Sequence, residues 1–236
     1  MKKILLLIAA ASLLFACDKT ENEQDIMDAF FGYGNDDTRF RPEVYGQMQA
    51  FENVYLQEFT SAATSDWSEK NDDYSLQGHE NGELIIRGKQ NYYGWQNFSN
   101  LNQSFDFQME MRVQFNFIAI TAVEAYMGIV WGVNEDKGSF NYILLFSSNN
   151  HTMQIGNRNG STYDNWYIQP SGLTKNTHHV YTIRKVGNTM YFFADGKYIY
   201  KTGYQYFQPN YGFWLTANGI VLVDYVRVDY IEAIYN

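Results

Sequence analysis

The segment Phe105-Asp-Phe-Gln-Met-Glu-Met-Arg-Val-Gln-Phe-Asn-Phe117 sets seven apolar residues at odd positions against six polar ones at even positions, without a break. Successive side chains of a strand point to opposite faces, whereas a helix spreads such a pattern around its axis. Only an extended strand with one buried side gathers these seven together. Further strands are predicted at 54–59, 83–89, 125–133, 140–147, 152–158, 164–168, 178–186, 189–194, 197–201, 211–216 and 220–231. Val186-Gly187-Asn188-Thr189 joins two of them, and Ala194-Asp195-Gly196-Lys197 joins the next, with Asp-Gly matching a type I′ turn. With 20 Tyr, 17 Phe and 5 Trp, the chain is rich in residues that suit pleated, half-buried surfaces. The expectation is an all-β fold: antiparallel sheets packed face to face, or a barrel.

The N-terminus reads differently. Lys2 and Lys3 precede an uncharged run over residues 4–16. At about 1.5 Å per residue that run spans roughly 20 Å as a helix, short of the ~30 Å of a bilayer core, so a cleaved signal peptide (1–16) is expected rather than a retained span. Leu14-Phe15-Ala16-Cys17 resembles the lipobox of bacterial lipoproteins, with Phe15 departing from the small residue usual there. Cys17, the chain's single cysteine, would carry the lipid (palmitate or another acyl group) and thereby form the membrane anchor. A lone cysteine allows no intramolecular disulfide, and its lipidation would exclude a thiol nucleophile. The acidic run Asp18-Lys19-Thr20-Glu21-Asn22-Glu23-Gln24-Asp25 resembles that of surface-exported lipoproteins of the Bacteroidetes and points to the outer membrane of the cell envelope. Asp18 directly after the cysteine resembles an inner-membrane retention signal of enterobacteria, so the leaflet stays open. Residues 17–50 read as a tether, with one short amphipathic helix possible over 22–34 through Ile26, Met27, Phe30 and Phe31.

Charge narrows the partners. Of 17 Lys and Arg, two lie in the leader, leaving 15 against 26 acidic residues, a net of −11 for the mature chain. That argues against nucleic acid, and leaves the lipid anchor as the expected route to a membrane.

Within the β region, Gln57-Glu58-Phe59-Thr60-Ser61, Trp67 and Asn81-Gly82-Glu83-Leu84-Ile85-Ile86 look like the opening of the concanavalin A-like lectin/glucanase jelly roll. Residues 184–197 resemble its central double hairpin; Tyr211-Gly212-Phe213-Trp214 and Val223-Asp224-Tyr225-Val226-Arg227-Val228 resemble its closing strands. The resemblance, to the laminin-G-like and keto-disaccharide hydrolase-like forms, covers 53–231 and implies an antiparallel two-sheet jelly-roll sandwich over 51–236. It also implies carbohydrate as partner, by binding or by hydrolysis.

Reagents for hydrolysis are poorly represented. The laminarinase branch carries its acids as Glu-x-Asp-x-x-Glu on one strand, and no such run occurs here. Asp106 and Glu110 share a face of the alternating segment but lie about 13 Å apart along a strand, too far for a retaining or inverting pair. A pair assembled across strands stays open. His178 and His179, as strand neighbours, point to opposite faces and suit no shared metal. No cofactor is expected; structural calcium is an option, with Asn71-Asp72-Asp73 and Asn134-Glu135-Asp136-Lys137-Gly138 as oxygen-bearing turns. Asp224 alternates in phase with Leu222, Val226 and Val228, which predicts a carboxylate turned to the apolar side and accepting from loop N–H groups, with Ca²⁺ ligation the second option and catalysis the third.

Aromatic and amide residues occur together in Tyr92-Tyr93-Gly94-Trp95-Gln96-Asn97, Tyr163-Asp164-Asn165-Trp166-Tyr167 and Tyr204-Gln205-Tyr206. Sugar rings stack their C–H faces on such side chains while amides meet the hydroxyls. Tyr93, Trp95, Tyr163, Trp166 and Tyr204 are therefore the candidate glycan-stacking residues, with core packing as the competing role for each. The expected function is a non-catalytic glycan-binding lipoprotein; the alternatives are a small glycoside hydrolase with a cross-strand acid pair and a structural or protein-binding envelope module.

Overall fold

The computed structural model describes residues 48–60, 67, 70–71, 75–89, 92–97, 100–117, 125–134, 136–146, 152–216 and 219–233. The leader, Cys17 and the segment 22–34 lie outside the described residues, as do Asp72, Asp73 and Glu135.

Fifteen strands follow one another with no helix among the described residues: β1 Met48–Glu58, β2 Lys70–Asn71, β3 Ser75–Glu80, β4 Glu83–Gly88, β5 Tyr92–Asn97, β6 Phe107–Asn116, β7 Tyr126–Asn134, β8 Ser139–Phe146, β9 Thr152–Asn159, β10 Thr162–Pro170, β11 His178–Val186, β12 Thr189–Ala194, β13 Lys197–Gly203, β14 Asn210–Leu215 and β15 Ile220–Ala233. They form two antiparallel sheets. One runs β13-β12-β11-β6-β15-β4-β3-β2, with β1 also paired to β15; the other runs β10-β9-β8-β7-β14-β5. The Asp195-Gly196 hairpin has positive φ at both residues (50° and 73°), as a type I′ turn requires.

The alternating segment becomes β6, the central strand of the larger sheet. Phe107, Met109, Met111, Val113 and Phe115 are buried against the second sheet, and Gln108, Glu110, Arg112, Gln114 and Asn116 line the outward face. The alternation stops one residue pair short of its predicted start. Phe105 precedes the strand, is 51% exposed and meets the edge of Tyr230 at 5.1 Å. Asp106 accepts from the Gly187 N–H (2.8 Å) and the Lys185 ammonium (3.4 Å), so it fastens a hairpin and does not share a working face with Glu110.

Opposite β6, the inner surface of the smaller sheet supplies Met127, Ile129, Trp131, Ile143, Leu145, Met153, Ile155, Tyr211, Phe213 and Leu215. Each such side chain stabilises the sandwich by roughly 1.5–3 kcal/mol relative to exposure.

Asp224 departs from its expected place. The register of β15 against β6 slips between Val223 and Tyr225, so the buried series runs Val221, Val223, then Val226 and Val228. A β-bulge inserts one residue and reverses the facing of everything after it. Asp224 is that residue. Its side chain is one-third exposed and pairs with Arg112 on the outward face, not with loop amides beneath the sheet.

Candidate functional site

β8 reads Ser-Phe-Asn-Tyr-Ile-Leu-Leu-Phe and is apolar on both sides. Ile143 and Leu145 enter the core, whereas Phe140, Tyr142 and Leu144 join Val130 and Trp214 in a second cluster on the outward face of the six-stranded sheet. That face is strongly concave. Tyr163 on β10 stacks on Trp214 of β14 with ring centroids 6.0 Å apart and an interplanar angle of 20°, although β9, β8 and β7 lie between them. In a flat sheet, four strand spacings would hold the two backbones roughly 19 Å apart.

Gly156 makes the curl possible. A Cβ there would collide with the Asp164 carbonyl oxygen and lie 2.8 Å from the Tyr142 hydroxyl. With the backbones this close, the Tyr142 hydroxyl donates to Asn165 Oδ1 at 2.6 Å. Trp214 meets Tyr126 at 4.9 Å and Phe140 at 5.2 Å, both edge to face, the arrangement favoured by ring quadrupoles. The Arg158 guanidinium lies over three of these rings, 5.6 Å from Phe140, 5.5 Å from Tyr163 and 5.6 Å from Trp214. Burial, with Tyr163 beside them, pushes the Tyr126 and Tyr142 hydroxyls up to about 12.

At one end the aromatic face opens into a pocket of about 460 Å³. The β7–β8 hairpin provides Asn134, Lys137, Ser139, Phe140 and Asn141; the end of β9 provides Asn157, Arg158 and Asn159; residues 205–208 close the far side. The last segment is pinned from below. Buried Gln103 donates to the Phe207 carbonyl (2.5 Å) and accepts from the Tyr204 hydroxyl. Buried Asn210 clamps β14 to β7 by donating to the Val133 carbonyl (2.9 Å) and accepting from its N–H (2.6 Å). Gly132, at φ 64°, lets Phe207 approach to 2.6 Å from where a Cβ would stand. These anchors leave Tyr206 at the rim, 78% exposed and without a ring contact among the described residues.

The sequence candidates separate here. Tyr163 is 46% exposed over the concave face. Trp166 packs against the core and donates its indole N–H to Asp164 at 3.2 Å. Tyr204 is half-buried beneath the pocket, edge-on to Phe107 and Phe207, while its neighbours Gln205 and Tyr206 line the recess. Tyr93 and Trp95 occupy β5, in register with Trp214 and Gly212, and their side chains lie outside the described residues. Asn134 and Lys137 also come from a turn read for calcium; the Asn134 amide oxygen accepts from the Lys137 N–H at 3.2 Å. Gln103 and Asn210 carry no signal in the sequence beyond being amides just outside the predicted strands.

A smaller pocket of about 230 Å³ lies on the outward face of the nine-stranded sheet and includes Glu110, Asp229, Arg184 and Arg227. Its acids are committed. Glu110 accepts from the Tyr225 hydroxyl (2.6 Å), and Asp229 accepts from Arg227 (2.5 Å) and Asn53 (2.8 Å). Burial lowers the Arg184 pKa, with Glu110 acting in the opposite direction. The two histidines go to different partners: His178 to Glu83 at 2.5 Å, His179 to Asp195 at 2.6 Å and to the Thr174 carbonyl at 2.8 Å.

No protein-family model matches the chain, and no curated protein matches it either. Solved structures do. The laminarinase catalytic domain of Thermotoga maritima superposes with a TM-score of 0.52 at 12% identity, covering 79% of this chain and 100% of that one. The endo-β-1,3-glucanase of Pyrococcus furiosus gives 0.50 at 14%, covering 81% and 98%. A xylan β-1,4-xylosidase of Bacillus halodurans gives 0.52 at 14%, over 74% of this chain and 38% of its own length. At such identities the likeness is one of fold: the protein is an antiparallel two-sheet jelly-roll sandwich, concanavalin A-like in architecture.

Proposed function

We propose that the protein is a lipid-anchored protein of the cell envelope that binds carbohydrate, without cleaving it, in the pocket between the β7–β8 hairpin and residues 205–208. The observation that carries this reading is Tyr206, an aromatic ring exposed at the rim of a recess whose lining includes the side-chain amides of Asn134, Asn141, Asn157, Asn159, Gln205 and Gln208. Sugar recognition needs that pairing: a flat apolar face to stack on, and groups that both donate and accept for the hydroxyls. No carboxylate lines the pocket among the described residues, so nothing there suits the acid and the base or nucleophile of glycoside hydrolysis. The fold shared with a glucanase and a laminarinase supports contact with glycans and leaves the chemistry to the site.

The test is a glycan array probed with the purified protein and with Tyr206→Ala. Saccharide binding weakened at least about tenfold by the substitution, equivalent to ~1.4 kcal/mol, is the expected result. An array without a single hit, with or without Ca²⁺, would remove the proposal. Anchoring is tested separately: Cys17→Ala should abolish metabolic incorporation of labelled palmitate.

One observation favours a hydrolase instead. Glu110 and Asp229 come from adjacent strands and line the same small pocket. On that reading, Glu110→Gln would abolish release of reducing ends from a polysaccharide. With both acids engaged by Tyr225, Arg227 and Asn53, binding elsewhere is the better-supported reading.

A further inference from the structure

We infer that the sugar chain taken by the Tyr206 pocket is an acidic one, bearing a carboxylate or sulfate that Arg158 and Lys137 receive. The inference rests on the glycan reading above and names the class of glycan. Among the described residues, Lys137 and Arg158 are the only charged side chains lining the pocket, although acidic residues outnumber basic ones by 26 to 17 in the whole chain. Neither is paired with a carboxylate among the described residues. The larger sheet differs: there Arg112 meets Asp224 and Arg227 meets Asp229, each cation neutralised by its neighbour.

Arg158 is also built for the task. Its Nε donates to the Gly160 carbonyl at 2.7 Å, and its guanidinium is held over Phe140, Tyr163 and Trp214 at 5.5–5.6 Å. The side chain is thereby fixed from one edge and one face. No described residue accepts from its terminal nitrogens, whose two N–H groups match the spacing of two oxygens on one carboxylate or sulfate. Lys137, on the adjoining turn, adds a point charge at the mouth. Asn141, Asn157 and Gln205 remain for hydroxyls, and Tyr206 for a ring face. A densely charged polyanion such as nucleic acid is disfavoured, because the chain as a whole carries 26 acidic against 17 basic residues. A chain with one anionic group per sugar or per few sugars fits the recess.

The experiment measures binding of the intact protein to hexasaccharides of polygalacturonate and of alginate, each beside its methyl ester, and to sulfated and unsulfated galactan hexasaccharides. At least one acidic member should bind about tenfold or more tightly than its neutral counterpart, and the preference should shrink at high salt. Arg158→Gln should abolish the preference, with near-ultraviolet circular dichroism reporting whether the aromatic face survives. Lys137→Gln, in an exposed turn, should reduce it with the fold unaffected. Equal binding of acidic and neutral partners, or a preference that survives both substitutions, would overturn the inference and leave the glycan reading standing. Tighter binding of a DNA oligonucleotide than of any glycan would overturn both.

Discussion

On the outward face of the nine-stranded sheet, Arg112 meets Asp224, Arg227 meets Asp229, and Tyr225 donates to Glu110. On the outward face of the six-stranded sheet, Tyr126, Phe140, Tyr142 and Trp214 pack against one another, and Arg158 rests on rings with no anionic partner among the described residues. Paired charges use up each other's bonding capacity and leave a newcomer little to gain. Stacked rings have no such saturation, and where the packing ends, at Tyr206, an unused face remains. The two surfaces therefore differ in where stability comes from and in what they leave for a ligand.

Substitutions that touch one surface at a time can break that contrast. The largest effect is expected from Trp214→Ala. Removing a ring packed by Tyr126, Phe140 and Tyr163 should cost about 3–5 kcal/mol, read as a lower midpoint in urea. Gly156→Ala should follow, at about 1–3 kcal/mol, because its methyl group forces the backbones of β9 and β10 apart. The same substitution should separate Tyr163 from Trp214, detectable as a change in tryptophan emission.

An alkaline titration comes next. The Tyr126 and Tyr142 hydroxyls titrate near 12 in the folded protein and near 10 once unfolded. A raised pKa means that the unfolded chain loses its protons first. The stabilisation is fully present below pH 10 and is lost as the pH rises towards 12. The share of tyrosinate absorbance that is lost on replacing Tyr126 and Tyr142 by Phe should therefore appear late and together with unfolding; its full appearance in a still-folded protein at pH 11 would contradict the packing of this face. Smallest of all is Arg112→Ala on the other surface. Its pair with Asp224 is substantially exposed, and its loss should shift stability by under about 1 kcal/mol. If Arg112→Ala proved as damaging as Trp214→Ala, the contrast between the sheets would be wrong.

How much of this could be seen in the residues follows from the same physics. β6 was legible because one of its faces is dry and the other wet, so the pleat is written out as alternation. The Asp195-Gly196 turn was legible because its φ angles demand those residue types. β8 and β14 lie under cover on both sides, which erases the alternation and hides which aromatics face the core and which face the concavity. Asp224 was misplaced because a bulge adds a residue without any mark in composition. At the site, segment 204–206 was singled out, yet Tyr204 turned inward and Tyr206 outward. Gln103 decides that difference from about a hundred residues away in the chain, beyond the reach of local pattern.

The curl of the smaller sheet has one more effect. β10 is its last strand, nine residues long and mostly exposed, with one row of backbone groups that no described strand claims. A flat ribbon of that kind is a template on which a second molecule can add its own strand, and so on into an aggregate. Here the register breaks between Asn165 and Tyr167, Pro170 removes a donor at the end, and the first part of the strand carries Tyr163 over the sheet onto Trp214. The same bend that gathers the rings thus spoils the edge as a seed for uncontrolled self-association, and straightening it should yield a protein that precipitates.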